Sequence, residues 1–167
     1  MKIDILNKSK KKKYLQELSY LGELKSKALL IKTGKERIRA YTGALANEEI
    51  WDFWRVFPVE GVGLYIGKEN INRSGVREVR LSTDGLHLFG DQVTEGILVL
   101  DEEQEIDWFL GKEVVVGGSQ VKDLKSYFVA VKSRSSGDFI GIGKLNKDKD
   151  LVYNYLPKER RRKEQGS

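Results

Sequence analysis

Residues 127–145, YFVAVKSRSSGDFIGIGKL, constrain the fold of this chain more than any other stretch. An apolar run, a short Ser/Gly link and a second, glycine-spaced run predict two antiparallel strands joined by a tight connection. The rival reading of GIGK is a phosphate-cradling loop, and the spacing argues against it. A P-loop needs G-x-x-x-x-G-K-[ST] between a strand and a helix, because amide donors and the helix start hold the phosphates while the hydroxyl binds magnesium. Here Asp138 stands five residues before Gly143, and Leu145 follows Lys144. The next segment, NKDKD, has no apolar helical period. A dinucleotide fingerprint fails as well, since Asn146 occupies its third glycine position. GIGK therefore reads as a strand, with Gly141 and Gly143 on one face where a side chain would collide with a helix or with a ligand backbone.

Other short strands flank this hairpin. GILVLD reads as a strand running straight into a helix capped by Asp101, with Glu102 and Glu103 in its first turn and Gln104 completing a capping box. On that helix Ile106, Phe109 and Leu110 are expected to face inward, and Gly111 to end it. EVVVGG and LVYNYLP supply further strands, so residues 93–157 predict a small, mostly β barrel. The preceding residues 1–90 predict an α+β unit. Tyr14, Leu18, Leu21 and Leu24 recur at helical spacing over 10–24. KALLIKTGKERIRAYTG reads as two strands around Thr33–Gly34. Asn47 is placed to cap a helix with Ile50, Phe53, Trp54 and Phe57 on one face, which Pro58 stops. VGLYIGKE and REVRLS read as strands, the second with Val79 and Leu81 on one face and Glu78, Arg80 and Ser82 on the other. GLHLFG reads as a third short strand after a Thr-Asp-Gly turn. The expected fold class is α+β: an N-terminal unit over 1–90, a mostly β unit over 93–157 and a basic tail over 158–167.

Composition narrows the chemistry. The 167 residues include no cysteine, which excludes disulfides, thiolate metal sites and a thiol nucleophile. The one histidine, His87, sits in LHLF as an ordinary strand position with no inferred catalytic partner. Asp101, Glu102, Glu103, Glu105 and Asp107 lack the spacing of a calcium loop and fit the positive start of a helix instead. No cofactor, metal or catalytic residue is expected. No segment has the length of a membrane span or the apolar core of a signal peptide, so a soluble, cytoplasmic protein is expected. Trp54 reads as core. Trp51 and Trp108 fall beside their helical stripes, either as platforms for a stacked base or as packing between the two units.

Charge distribution carries the functional expectation. The net charge is +5, yet residues 1–13 hold six lysines against one aspartate, and KERRRKE holds five cations against two glutamates. The body between these ends is net acidic, and Asp91 to Asp107 contains seven acids with no lysine or arginine. Two basic ends on an acidic body suit a protein that sets one face against a polyanion. The candidate contacts are Lys144, Lys147 and Lys149 on or after the glycine strand, Lys132 and Arg134 at the neighbouring hairpin end, and Lys158, Arg160, Arg161, Arg162 and Lys163 in the tail. The first two groups are expected to gather at one edge of the hairpin, with the tail extending the patch. Gly141 and Gly143 are expected to allow close approach of a nucleic-acid backbone.

GILVLDEEQEIDWFLGKEV followed by SYFVAVKSRSSGDFIGIGKL resembles a PUA domain, a small pseudo-barrel that binds structured RNA. EEIWDFWRVFPVEGVGLYIGK, REVRLSTDGLHLFG and LPKERRR extend the likeness to the C-terminal region of archaeal Sun-type RNA cytosine-C5 methyltransferases. The hairpin–helix–strand order from Ala28 is also similar to the two-domain ribosome-biogenesis factors of the Nip-seven type, which pair a pre-PUA unit with a PUA unit. These likenesses imply a pre-PUA-like unit before a PUA-like pseudo-barrel, and binding of rRNA or tRNA. Methyl transfer does not carry over, since the chain lacks the catalytic cysteines and the length for a methyl-donor domain. The expected function is non-catalytic binding of structured RNA in ribosome assembly or RNA modification, with ribosomal particles or an RNA methyltransferase as further partners. The alternatives are a protein-interaction adaptor and a specificity subunit acting in trans with a separate methyltransferase.

Overall fold

In the computed structural model, residues 2–56 and 62–163 are described. The first sheet is antiparallel throughout, in the order β1-β2-β3-β4-β5. Its strands are β1 (Ile3–Ile5), β2 (Leu29–Thr33), β3 (Arg37–Tyr41), β4 (Leu64–Ile71) and β5 (Arg77–Leu81). Helix α1 (Lys8–Glu17) and a 3-10 turn, Ser19–Leu21, carry Tyr14, Leu18 and Leu21 into the core, with Leu24 buried just beyond. Gly22 ends this segment at φ 127°, a conformation that favours glycine. Helix α2 (Asn47–Val56) starts one residue earlier than a cap at Asn47 would require. Its entry is held from Ala46, whose N–H donates to Glu49 Oε2 at 2.7 Å. Ile50 on this helix is buried, but Phe53 is 44% exposed rather than turned inward. The expected positions of Phe57 and Pro58 lie outside the described residues.

GLHLFG corrects the sequence reading: Gly85 to Phe89 are helical, within α3 (Thr83–Phe89), and Gly90 caps its end. Ser82 caps it by accepting from the Gly85 N–H at 3.0 Å, while its own hydroxyl donates to the Tyr65 carbonyl at 2.8 Å. A side chain at Gly85 would place Cβ 2.0 Å from the Ile66 carbonyl oxygen, so glycine lets the helix start lie directly on β4. Leu86 and Phe89, three residues apart, are buried, and His87 is exposed on the helix rather than in a strand. The alternation LHLF suggested a strand; the serine cap and close glycine contact select a helix instead.

The second sheet runs in the order β6-β8-β9-β10-β7. It comprises β6 (Ile97–Leu100), β7 (Val114–Val115), β8 (Phe128–Ser133), β9 (Phe139–Leu145) and β10 (Leu151–Asn154). Only the β6–β8 pair is parallel, and its connection carries α4 (Glu102–Phe109), β7 and a one-turn helix, α5 (Gly118–Val121). Asp101 and Gln104 form the expected capping box, and Gly111 follows α4 at φ 80°. The inward face of α4 differs from the expectation. Ile106 is 60% exposed, and Trp108 is fully buried in its place.

Two large apolar cores result. One lies within the second sheet, with Leu98, Trp108, Val129, Val131 and Val152 at its centre. The other joins both sheets, because Phe128, Ala130 and Ile142 from β8 and β9 pack with Tyr14, Leu18, Leu30 and Leu81. A smaller cluster of Ile3, Ile31 and Ile50 seats α2 on the first sheet. No helix among the described residues is long and apolar enough to cross a membrane.

Candidate functional site

The two sheets meet along a polar seam beside their shared core. Alternation along β5 buries Val79 and Leu81 and leaves Glu78 and Arg80 on the opposite face. Glu78 accepts from Lys144 Nζ of β9 at 2.6 Å and from Asn72 at 3.0 Å. The Arg80 guanidinium lies 4.4 Å from the ring centre of Tyr155, which follows β10. Asp84, at the start of α3, is ion-paired with Arg160 of the tail. Three contacts therefore zip 78–84 to β9, β10 and the tail in order. Burial works to raise the Glu78 carboxyl, but the hydrogen bonds from Lys144 and Asn72 outweigh it and hold the group below the ordinary carboxylate range. Glu69 on β4 is likewise lowered despite burial, by Lys32 and Arg77.

At the β9–β10 end of the seam a groove of about 1010 Å³ opens between β5 and the β8–β10 face, lined in part by Glu78, Tyr127, Phe128, Lys144, Lys147 and Tyr153. Strand register builds its wall. Tyr153 of β10 lies opposite Lys144 of β9, and Lys144 lies opposite Phe128 of β8, so three side chains form one row on one face. Lys144 Nζ sits 5.0 Å from the Phe128 ring centre. Beyond the row, the Asn146 side chain accepts from the Asp150 and Leu151 amides and fixes the β9–β10 turn. In that turn Lys149 adopts φ 53°, and its Nζ donates to the Leu124 carbonyl while lying 5.7 Å from the Tyr127 ring centre.

The structure divides the cations expected from the sequence. Lys144 and Lys147 line the groove, and Lys149 stands next to it over the Tyr127 ring. Lys132 and Arg134 do not join them, because β8 and β9 pair with Phe128 opposite Lys144 and Lys132 opposite Phe139. The two groups thus lie at opposite ends of the hairpin, not at one edge. Lys132 stands over the Phe139 ring, in a shallow cleft with His87 and Asp91, and His87 Nε2 lies 2.9 Å from the Phe139 carbonyl. In the tail, Arg160 follows the seam to Asp84, and Arg161 donates to the Leu156 carbonyl at 2.9 Å. Arg162 covers Phe109 at the end of α4, with 4.9 Å to the ring centre. Lys158 and Lys163 are exposed.

Gly141 and Gly143 serve a different purpose from the one expected. Both are buried, and the space above them is filled by Trp108. A Cβ at Gly141 would stand 2.9 Å from the indole, and one at Gly143 would stand 3.3 Å from it and 2.5 Å from Val152. The indole N–H donates to the Ile140 carbonyl at 3.0 Å. The glycine strand is a seat for a tryptophan, so neither glycine is available to a ligand backbone and Trp108 is no stacking platform.

The exposed aromatic residues here are Tyr127, Tyr153 and Tyr155, which sequence reasoning passed over for the tryptophans. The period-two spacing of YNY after the glycine strand could have placed Tyr153 and Tyr155 on one face. Which face stays open depends on packing of the sheets. Among the described residues no cluster of His, Asp or Glu is arranged to hold a metal ion.

No protein-family model matches the chain, and no curated protein does. Among solved structures, the crystal structure of a PUA domain from Aeropyrum pernix K1, a tartrate complex, is similar over 97% of this chain and 81% of its own, at 15% identity and a TM-score of 0.48.

Proposed function

We propose that this α+β protein is a non-catalytic binder of structured RNA, of the rRNA or tRNA class, acting in ribosome assembly or RNA modification. The observation that carries the reading is the juxtaposition of exposed Lys147 with the exposed rings of Tyr127 and Tyr153 in one groove, with Lys149 beside Tyr127 and the basic tail following the seam. Cations attract a phosphate backbone irrespective of sequence, and aromatic planes take bases that leave the helical stack. The sequence resemblance to PUA-type regions implies the same ligand class. Lys132 and Arg134, at the far end of the hairpin, would contact only an RNA long enough to reach past α3.

The test uses cations without internal partners, so that the fold is spared. Lys147, Lys158 and Lys163 are exposed and make no ion pair among the described residues. A Lys147→Ala/Lys158→Ala/Lys163→Ala variant is expected to bind a structured RNA at least tenfold more weakly. Its plot of log affinity against log salt should be shallower by about 0.7–0.9 per phosphate contact removed. Unchanged affinity and slope would discard this surface.

Val56, 69% exposed on the helix that also carries Trp51, favours a second reading: an adaptor that docks a protein through α2. Recovery of protein rather than RNA with the purified chain would favour it.

A further inference from the structure

We infer that the groove between β5 and β8–β10 receives an unpaired nucleotide, with its base stacked on Tyr153; this rests on the RNA-binding reading above. The three exposed tyrosines are not equivalent. Tyr155 is already covered, by Arg80 on one side and by Phe128, whose ring centre is 6.2 Å away. Tyr127 is 46% exposed, with Lys149 beside its ring. Tyr153 is 41% exposed, lines the groove, and has no ring or cation partner among the described residues. It is the open aromatic plane of the site.

Charge in the same groove is sorted by pairing. Lys144 is neutralised by Glu78, and Arg77 by Glu17 and Glu69, at 2.6 to 2.9 Å. Ion pairs of this kind leave Lys144 and Arg77 with little charge to offer a phosphate. Lys147, in the β9–β10 turn, lines the same groove and is exposed, with no ion pair among the described residues. A wall whose charges are largely paired, with an exposed aromatic ring, accepts a base, and the unpaired Lys147 accepts a neighbouring phosphate. A base within a duplex has both faces covered by its neighbours and cannot stack on a side-chain ring; an unpaired base can. The groove volume is that of a site for a small organic group. The ligand element is therefore an unpaired residue of the RNA, such as a bulge, loop or single-stranded end.

The test measures anisotropy of fluorescent RNAs with the full chain: a hairpin carrying a single-stranded extension, and a fully paired duplex of the same length. Wild-type protein should prefer the extended hairpin. Tyr153→Ala should weaken its binding by roughly 5- to 150-fold, leave the duplex unaffected, and keep the wild-type melting temperature, because the ring is largely exposed. Tyr153→Phe should retain the preference, since stacking needs the ring and not the hydroxyl. Equal binding of both RNAs by wild type, or an equal loss on both in Tyr153→Ala, overturns the inference while leaving RNA binding intact. Binding of neither RNA by wild type overturns both.

Discussion

Gly141 shows how one residue changes meaning between sequence and structure. At φ 148° it occupies a backbone conformation that side chains rarely adopt, and its missing Cβ is the space into which Trp108 fits. Gly141→Ala is therefore expected to destabilise the fold by about 1–3 kcal/mol through overpacking, measured by urea denaturation, without selective loss of RNA affinity. A variant with wild-type stability but impaired RNA binding would return the glycine to the ligand surface. The alternation in FIGIGKL made the shared face of Gly141 and Gly143 readable. That the face looks inward was not readable, because a glycine pair looks the same beneath an indole as beneath a phosphate. The fully buried residue turned out to be Trp108, and Ile106 took the exposed side of the same short helix.

Among the elements, strands with strong apolar alternation and the helix with a complete capping box lie where local pattern puts them. Asp101 and Gln104 satisfy each other's backbone amides from three residues apart, so no tertiary contact is needed. Helix α3 was illegible for the opposite reason. Its start depends on Ser82 bonding both the Gly85 amide and the Tyr65 carbonyl, and on Gly85 resting against Ile66. Ser82→Ala is expected to cost about 1 kcal/mol as a lost cap. Gly85→Ala should cost more, since the added methyl meets backbone. Equal stabilities for both variants and wild type in chemical denaturation would show that α3 is not held this way. The hairpin register had the same character. Each strand was evident, but the placement of Lys132 and Lys144 at opposite ends follows from which residues pair.

For the whole molecule, ion pairs across the seam and within the first sheet couple stability to pH. Glu78 and Glu69 have folded values below the ordinary carboxylate range, near 4.3 in an unfolded chain. Their contribution is fully present above that unfolded value and is lost as pH falls through the lower folded values. Stability should thus decline in acid more steeply for wild type than for a Glu69→Gln/Glu78→Gln variant, followed by thermal melts between pH 7 and pH 3. Parallel curves would remove both carboxylates, Glu78 of the seam and Glu69 within the first sheet, from the account. Hydrogen exchange of β5 and β10 amides should quicken together in acid, as both strands border the seam.

Local pattern alone determined the α+β class, most strands, the capped helix and the concentration of positive charge at both ends of the chain. Those features arise from side-chain periodicity and contacts a few residues apart. The pairing of Lys144 with Glu78 and of Arg160 with Asp84, the seat for Trp108 and the open face of Tyr153 bring together residues far apart in the chain. Only packing of the two sheets decides which cations are neutralised and which aromatic planes remain accessible, because both depend on which surfaces are removed from water together.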